Sequence, residues 1–256
     1  ESVKGWTKTN LKFSFPITDK LDVQRIRFSS NSKVINASLP NNPLKEPIQA
    51  GNFDLNIDKK GLNLVGNASV DSSEIKISWK ENFSKTNLDK RQIRLSGKFH
   101  ERLQKRILNN LPIFPYITGP MQVDISLAEN WSGKKVLTSK ILLNEANLKI
   151  PKINWKKPRG ELGVVWVSAI VGGNGEVEVK NLDLKAKGLQ AKTSFHLDHK
   201  GILISAVFHK IKSGRSDFSG HLKKIKENDY ELKLNGRSLD LEPFLSRFRG
   251  GSERDL

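Results

Sequence analysis

"NLDLKAKGLQAKTSFHLDHKGILISAVF", residues 181–208, decides the fold class. Apolar side chains recur at every second position: Leu182 and Leu184, then Leu189, Ala191, Phe195 and Leu197, then Ile202, Ile204, Ala206 and Phe208. Lys, Asp, Asn and Gln fill most of the gaps. A period of two describes strands with one dry face and one wet face. Lys187–Gly188 and Lys200–Gly201 punctuate the run as turns. Leu203 and Val207 break the alternation by placing apolar groups on the wet face. Leaving the large inward residues in water forfeits roughly 10–20 kcal/mol, at about 1.5–3 kcal/mol for each. An ordinary domain has a net stability of only about 5–15 kcal/mol. The dry face therefore needs a cover: a second sheet, a helix or an apolar ligand.

Outward from this stretch almost every segment reads as strand. Candidates are 11–15, 23–28, 34–39, 52–57, 62–70, 74–80, 91–99, 121–128, 136–150, 161–171, 176–186, 189–197, 202–211, 216–225 and 230–236. One helix is expected, "ERLQKRILNNL" at 101–111, with Leu103, Ile107 and Leu111 on one face. Three turns of helix can plug one end of such a sheet, not cover it. A second helical start falls at "LEPFLSRF", 241–248, where Pro243 suits a first turn. "LNIDKKGLNL" (55–64) echoes "FHLDHKGILI" (195–204), matching Asp58 to Asp198 and Gly61 to Gly201. Repeated hairpins of one design explain the echo: glycine accepts positive φ, and the aspartate bonds back to the turn backbone. The expected fold is all-β, an elongated antiparallel sheet built by repetition. It forms one β-rich segment over 1–256, with a subdivision near 100–115.

The 256 residues can bury a core without staples. There is no cysteine, so disulfides and thiolate chemistry are excluded. No stretch approaches the ~20 apolar residues of a membrane-spanning helix; the longest apolar run is "VVWVSAIV", 164–171. The chain opens on Glu1 and ends on "RFRGGSERDL", which reads as a piece of something longer. A net charge of +17 asks for an anionic partner. Its 44 Lys and Arg are spread along the strands without interleaved aromatics, which points away from nucleic acid and toward an anionic membrane surface. The plainer reading is a solvated basic face with Lys guarding sheet edges.

Motifs for chemistry are scarce. "HERLQ", 100–104, lacks the second His of a zinc-protease helix, because Gln104 stands there. "GGNG", 172–175, reads as a hairpin turn rather than a phosphate loop. His196, Asp198 and His199 fall on one face and its turn, without metal-site spacing. Glu176 and Glu178 alternate with Val177 and Val179 and look solvated beside Lys180. No catalytic residue, metal site or cofactor is assigned, and the reading leans away from an enzyme.

"ANLKIPKINWKKPRG" (146–160) carries a resemblance, together with "GPMQVDISL" (119–127) before it and "GRSDFSGHL" (214–222) after it. With "GLNLVGNASVDSSEIKISWKENF" (61–83) and "LDLEPF" (239–244), the order of motifs resembles the AsmA-like family, in its YhdP central-domain branch, from about residue 45 to 245. The resemblance implies a Gram-negative envelope protein. It would be held in the inner membrane by an N-terminal helix outside this segment and would extend into the periplasm. It also implies a long curled β-groove, a β-taco, that carries phospholipid acyl chains between inner and outer membranes and supports outer-membrane integrity.

Three functions stay open. The first is a lipid-binding or lipid-transfer groove lined by Leu182, Leu184, Leu189, Phe195, Leu197, Ile202, Ile204 and Phe208. The second is a closed β-sandwich serving as a structural module for envelope protein partners. The third is a glycan-binding or glycan-cleaving protein, hinted at by Trp79 beside Glu81 and Trp131 beside Glu129.

Overall fold

A computed structural model describes residues 3–17, 25–40, 47–108, 116–150, 155–227, 229–240 and 242, the side chains of 106–108 aside. The strands are β1 (Lys4–Ser14), β2 (Arg27–Leu39), β3 (Ile48–Asp58), β4 (Gly61–Val70), β5 (Ser73–Asn82), β6 (Asp89–Phe99), β7 (Ile117–Thr118), β8 (Met121–Asn130), β9 (Lys135–Leu142), β10 (Asn147–Ile150), β11 (Trp155–Lys157), β12 (Gly163–Val171), β13 (Val177–Ala186), β14 (Leu189–Leu197), β15 (Leu203–Ser213), β16 (Ser216–Lys226) and β17 (Asp229–Ser238). One helix, α1 (Glu101–Leu108), follows β6. Fourteen strands follow the order β1-β2-β3-β4-β5-β6-β8-β9-β12-β13-β14-β15-β16-β17, and β11-β10-β7 form a small second sheet. The large sheet is antiparallel and not closed on itself.

Contacts divide the chain into two compact units, Glu1–Ile107 with Val123–Lys135, and Leu108–Gln122 with Val136–Leu256. In the first unit, β4 and β5 are joined through Asp71 and Ser72, both left-handed (φ 46° and 64°). A two-residue loop of that hand matches the twist of the flanking strands. The hairpin also seats α1. The His100 N–H donates to Ser73 Oγ (2.9 Å), and Arg102 reaches Asp71 Oδ1 (3.4 Å). Phe99, Leu103, Gln104, Val70 and Ile75 are all sealed around this junction.

Three successive strands of the first unit are bulged. The register shifts between Lys4 and Trp6, between Val34 and Ala37, and between Gln49 and Asn52. The positive φ values of Gly5, Asn36 and Ala50 fall at these breaks. Asn52 ties two of them together, accepting from the Asn36 N–H (3.1 Å) and donating to the Ala50 carbonyl (3.2 Å). Bulges bend a strand and increase its twist.

In the second unit Trp155 ties the small sheet to the large one, and Lys157 closes the turns that flank it. Trp155 Nε1 donates to the Lys187 carbonyl (3.0 Å) in the β13–β14 turn. Lys157, 1% exposed, donates from Nζ to the carbonyls of Ala146 (2.8 Å) and Pro158 (3.1 Å).

Several expected boundaries are corrected. The expected strands 23–28 and 34–39 meet in one strand, β2, which starts at Arg27 and whose middle is Ser and Asn; 23–24 lie outside the described residues. The expected strand 136–150 divides into β9 and β10, because the chain turns at 143–146 and leaves the large sheet. Strand 202–211 begins at Leu203, not Ile202. β7 and β11 are too short to show a period. The helix ends at Leu108 among the described residues; its expected tail, 109–111, lies outside them, as does nearly all of 241–248.

Candidate functional site

The hydrogen-bonded registers convert the alternating pattern into rungs. In the second unit Val165, Leu184, Ala191, Ile211 and Phe218 stand opposite one another across five strands. The next rung is Val167, Leu182, Thr193 and Phe208, and the next Ala169, Val179, Phe195, Ala206 and Leu222. Leu189 and Leu197 lie on the same face. A bulge between Val179 and Leu182 keeps both of them there despite their odd spacing. The expected inward set is thus brought onto one face, with two revisions. Ile202 sits in the turn and is 38% exposed, its N–H bound to Asp198 Oδ1 (2.9 Å). Leu203 pairs with Leu197 through a register shift that leaves Ile204 as the bulged residue, so Leu203 joins the apolar face. Val207 stays outward at 43% exposure.

Burial along this face is uneven. Leu184, Leu189 and Leu197 are buried, whereas Leu182, Phe195, Ile204 and Phe208 are half-buried. The first unit repeats the design with residues that were not singled out from sequence. Thr9, Ser32, Leu55, Leu64, Trp79 and Ile93 make one rung, and Thr7, Val34, Phe53, Gly66, Ile77 and Leu95 the next. Leu55, Leu64, Ile77, Trp79, Ile93 and Leu95 are half-buried. The same period of two in "FDLNIDKKGLNLVG", 53–66, was the signal that could have found them.

At one end of the first unit's face the rung turns ionic. Arg91 grips Glu81 with Nε (2.9 Å) and a terminal nitrogen (2.8 Å) and reaches Glu129 (3.4 Å). Trp79 Nε1 donates to Glu81 (3.1 Å), and the guanidinium lies 5.6 Å from the Trp79 ring centroid. The Arg91 hydrogen bond, with the Trp79 donor adding to it, holds the Glu81 carboxyl below its ordinary range against the opposing effect of burial. An ionised, fully engaged carboxylate is unsuited to donating a proton, which glycoside cleavage requires of one of its two carboxyls. Trp131 is committed as well, donating to the Asn87 carbonyl (2.9 Å).

The remaining sequence candidates have local duties. Asp58 Oδ1 accepts from the N–H groups of Lys60 (2.7 Å) and Gly61 (3.1 Å), and Asp198 Oδ1 from those of Lys200 (2.8 Å) and Ile202 (2.9 Å). Backbone donation, led by Ile202, lowers the Asp198 pKa. The glycines of the two echoes differ. Gly201 has φ +78°, whereas Gly61 is required because a Cβ there would stand 2.2 Å from the Glu81 carbonyl oxygen. "GGNG" is a hairpin turn, with the Gly172 N–H bound to the Glu176 carbonyl (2.9 Å). His196 lies 3.9 Å from Glu176, and Glu178 pairs with Lys180. Gln104 is sealed and donates to the Phe99 carbonyl (2.7 Å). No described helix is long and apolar enough to cross a membrane. Comparison with family models, curated proteins and solved structures finds no match.

Proposed function

We propose that the half-buried apolar face is a lipid-binding surface, and that the chain is a groove-type lipid-transfer scaffold for phospholipid acyl chains. The observation that carries this reading is the incomplete cover on consecutive rungs of large apolar residues. Phe195, Phe208, Leu182 and Leu203, with the bulged Ile204 next to it, in one unit, and Leu55, Leu64, Trp79 and Ile93 in the other, keep part of their surface open. Two sheets packed face to face interdigitate their inner side chains and seal them. An acyl chain can take up the remaining area at about 25 cal/mol per Å² of apolar surface, and any apolar residue serves, so no single side chain is indispensable. The resemblance to the AsmA-like family supports the same reading. It implies a periplasmic segment of a longer, inner-membrane-anchored protein that moves phospholipid between the inner and outer membranes.

The test compares Ile204→Asp with Lys192→Asp. If Ile204 faces lipid, its carboxylate stays hydrated in the lipid-free protein. The variant then folds with a modest fall in Tm but fails to crosslink a photoactivatable phospholipid. Lys192→Asp, on the opposite face, keeps both folding and crosslinking. In a closed sandwich the buried carboxylate costs several kcal/mol, about 1–3 kcal/mol or more beyond the lost packing, and Ile204→Asp unfolds the chain. A folded Ile204→Asp variant that crosslinks as well as the parent also removes the groove from this position.

A further inference from the structure

We infer that the outer face of β12–β15, on the side away from the apolar rungs, docks on an anionic phospholipid bilayer. Trp166 and Leu162 enter the headgroup layer, and Lys185, Lys192, Lys210 and Lys212 meet lipid phosphates. The inference draws on the proposed function only for its choice of partner; the residues belong to the opposite surface of the sheet.

Two features single this face out. First, Trp166 and Leu162 are 36% and 75% exposed and line one shallow concavity with Lys140, Lys185 and Lys187. The Lys185 Nζ lies 5.2 Å from the Trp166 ring centroid. An exposed indole and an aliphatic side chain ringed by ammonium groups fit the level where acyl chains give way to phosphates. Second, Lys192 stands directly opposite Lys210 in the β14–β15 register, with Lys212 one step along the same face. Directly opposed like charges destabilise a sheet, and no ion pair joins either lysine to a described carboxylate. The acids that share the surface are Asp183, directly opposite Lys192 in the β13–β14 register and paired with Lys185 (3.5 Å), Glu178, paired with Lys180, Glu161, paired with Lys187 (3.4 Å), and Asp217 opposite Lys212. Lysines often guard sheet edges, yet β14 and β15 are interior strands. Asp183 flanks Lys192 and offsets part of the repulsion; an external anion relieves what remains, at Lys210 above all.

The first unit has a similar grouping on its edge strand β1 and the neighbouring β2, where Asp54 also stands opposite Lys33. Trp6, 79% exposed, stands opposite Ile35, and the adjacent directly opposed pair is Lys8 and Lys33. A bilayer uses the aliphatic members, Leu162 and Ile35, as well as the charges. A nucleic acid needs a series of aromatic platforms, and each face offers one.

The test is cosedimentation of the full chain with phosphatidylcholine vesicles, with and without phosphatidylglycerol. The parent should bind only the anionic vesicles and be released by high salt. The double variant Lys192→Gln/Lys210→Gln should bind them about thirtyfold more weakly, at roughly a tenfold change for every 1.4 kcal/mol and about 1 kcal/mol per lysine. It should melt close to the parent, since it removes the Lys192–Lys210 repulsion together with the attraction of Asp183. Trp166→Ala should weaken binding while leaving its salt dependence unchanged. Lys200→Gln, in the β14–β15 turn, should bind as the parent does. Retained binding by the double variant, equal loss with Lys200→Gln, or equal binding to uncharged vesicles overturns the inference. Tighter binding of a single-stranded RNA or an acidic peptide through the same lysines overturns it too. Crosslinking of acyl chains at Ile204 should be unaffected by these outer-face variants, so the two readings can fail separately.

Discussion

Lys157 is the residue whose environment departs furthest from its chemistry. Its ammonium is sealed from solvent with two carbonyl partners, and a Cβ on Gly163 would stand 2.9 Å from its Cε. Burial lowers its pKa from 10.5, and the attraction of Glu161 offsets this only in part. The folded chain therefore holds this proton less tightly than the unfolded chain does, and the unfolded state binds more protons between the lowered value and 10.5. Stability contributed by this site must rise with pH across that window. Lys157→Met keeps the length of the side chain and removes the charge. Its Tm measured from neutral to alkaline pH should lack the site's upward contribution, while Lys157→Arg, charged at every accessible pH, should be less stable than the parent throughout. A Met variant whose profile parallels the parent's would show that the buried ammonium carries no such cost.

At the scale of elements, the hairpins from β3 to β6 and β12 to β17 were legible because their inner slots carry Leu, Ile, Val and Phe. The N-terminal pair was legible only at 11–15, 23–28 and 34–39, and 4–10 and 29–33 were missed, for a physical reason. Thr7, Thr9, Ser30 and Ser32 occupy inner slots and satisfy one another: Thr9 Oγ1 and Ser32 Oγ lie 2.9 Å apart across β1 and β2. Hydroxyls paired in this way hide a strand from a hydrophobic count. The division of 136–150 into two sheets was harder to see, since Leu143, Ala146 and Leu148 are all sealed and the turn shows only as a slip of phase, from odd positions at Ile141 and Leu143 to even ones at Ala146 and Leu148. The bulge line in β1–β3 carries a prediction of its own. Ala50 is left-handed at φ 49°, which costs an L-residue about 1–2 kcal/mol. A glycine returns roughly 0.5–1 kcal/mol of that through the freedom of the unfolded chain. Ala50→Gly should therefore leave stability unchanged or raise it by up to about 1 kcal/mol, although glycine ordinarily weakens a strand. Gly66→Ala should do the reverse and lower Tm clearly, because its Cβ would stand 2.0 Å from the Asn52 carbonyl oxygen. A loss of stability in Ala50→Gly comparable to that in Gly66→Ala would mean that the bulge conformation is not the one described.

Across the described residues, most of the fully sealed side chains gather beside the two small elements, while Met121, Val123 and Leu184 are sealed within β8 and β13. Phe99, Leu103, Gln104, Val70 and Ser73 belong to the α1 junction, and Lys157, Leu143 and Leu148 to the small sheet and the turn that leads into it. Along the strands the apolar faces mix buried residues, such as Val179 and Leu197, with half-covered ones, such as Phe195 and Phe208. This was the part of the site that composition could not reveal: alternation tells which face a residue takes, not whether anything lies on it. The distinction is sharp within β13. Leu184 is 1% exposed, and Leu182, two residues along the same face, is half-buried. Truncating a sealed leucine removes its transfer energy and leaves a cavity, about 2–5 kcal/mol. Truncating a half-covered one opens no cavity and gives up only part of the transfer energy, about 1 kcal/mol. Leu184→Ala should therefore melt far below Leu182→Ala in the lipid-free protein, while each folded molecule of Leu184→Ala retains phospholipid as the parent does. Leu182→Ala should melt close to the parent and retain less phospholipid, because the area it loses is area that an acyl chain would have covered. Bound lipid stabilises the folded state by mass action, so adding phospholipid should raise the Tm of the parent more than that of Leu182→Ala. If the two variants lose equal stability and phospholipid shifts neither Tm, the apolar face is closed core, and the groove reading fails along with it.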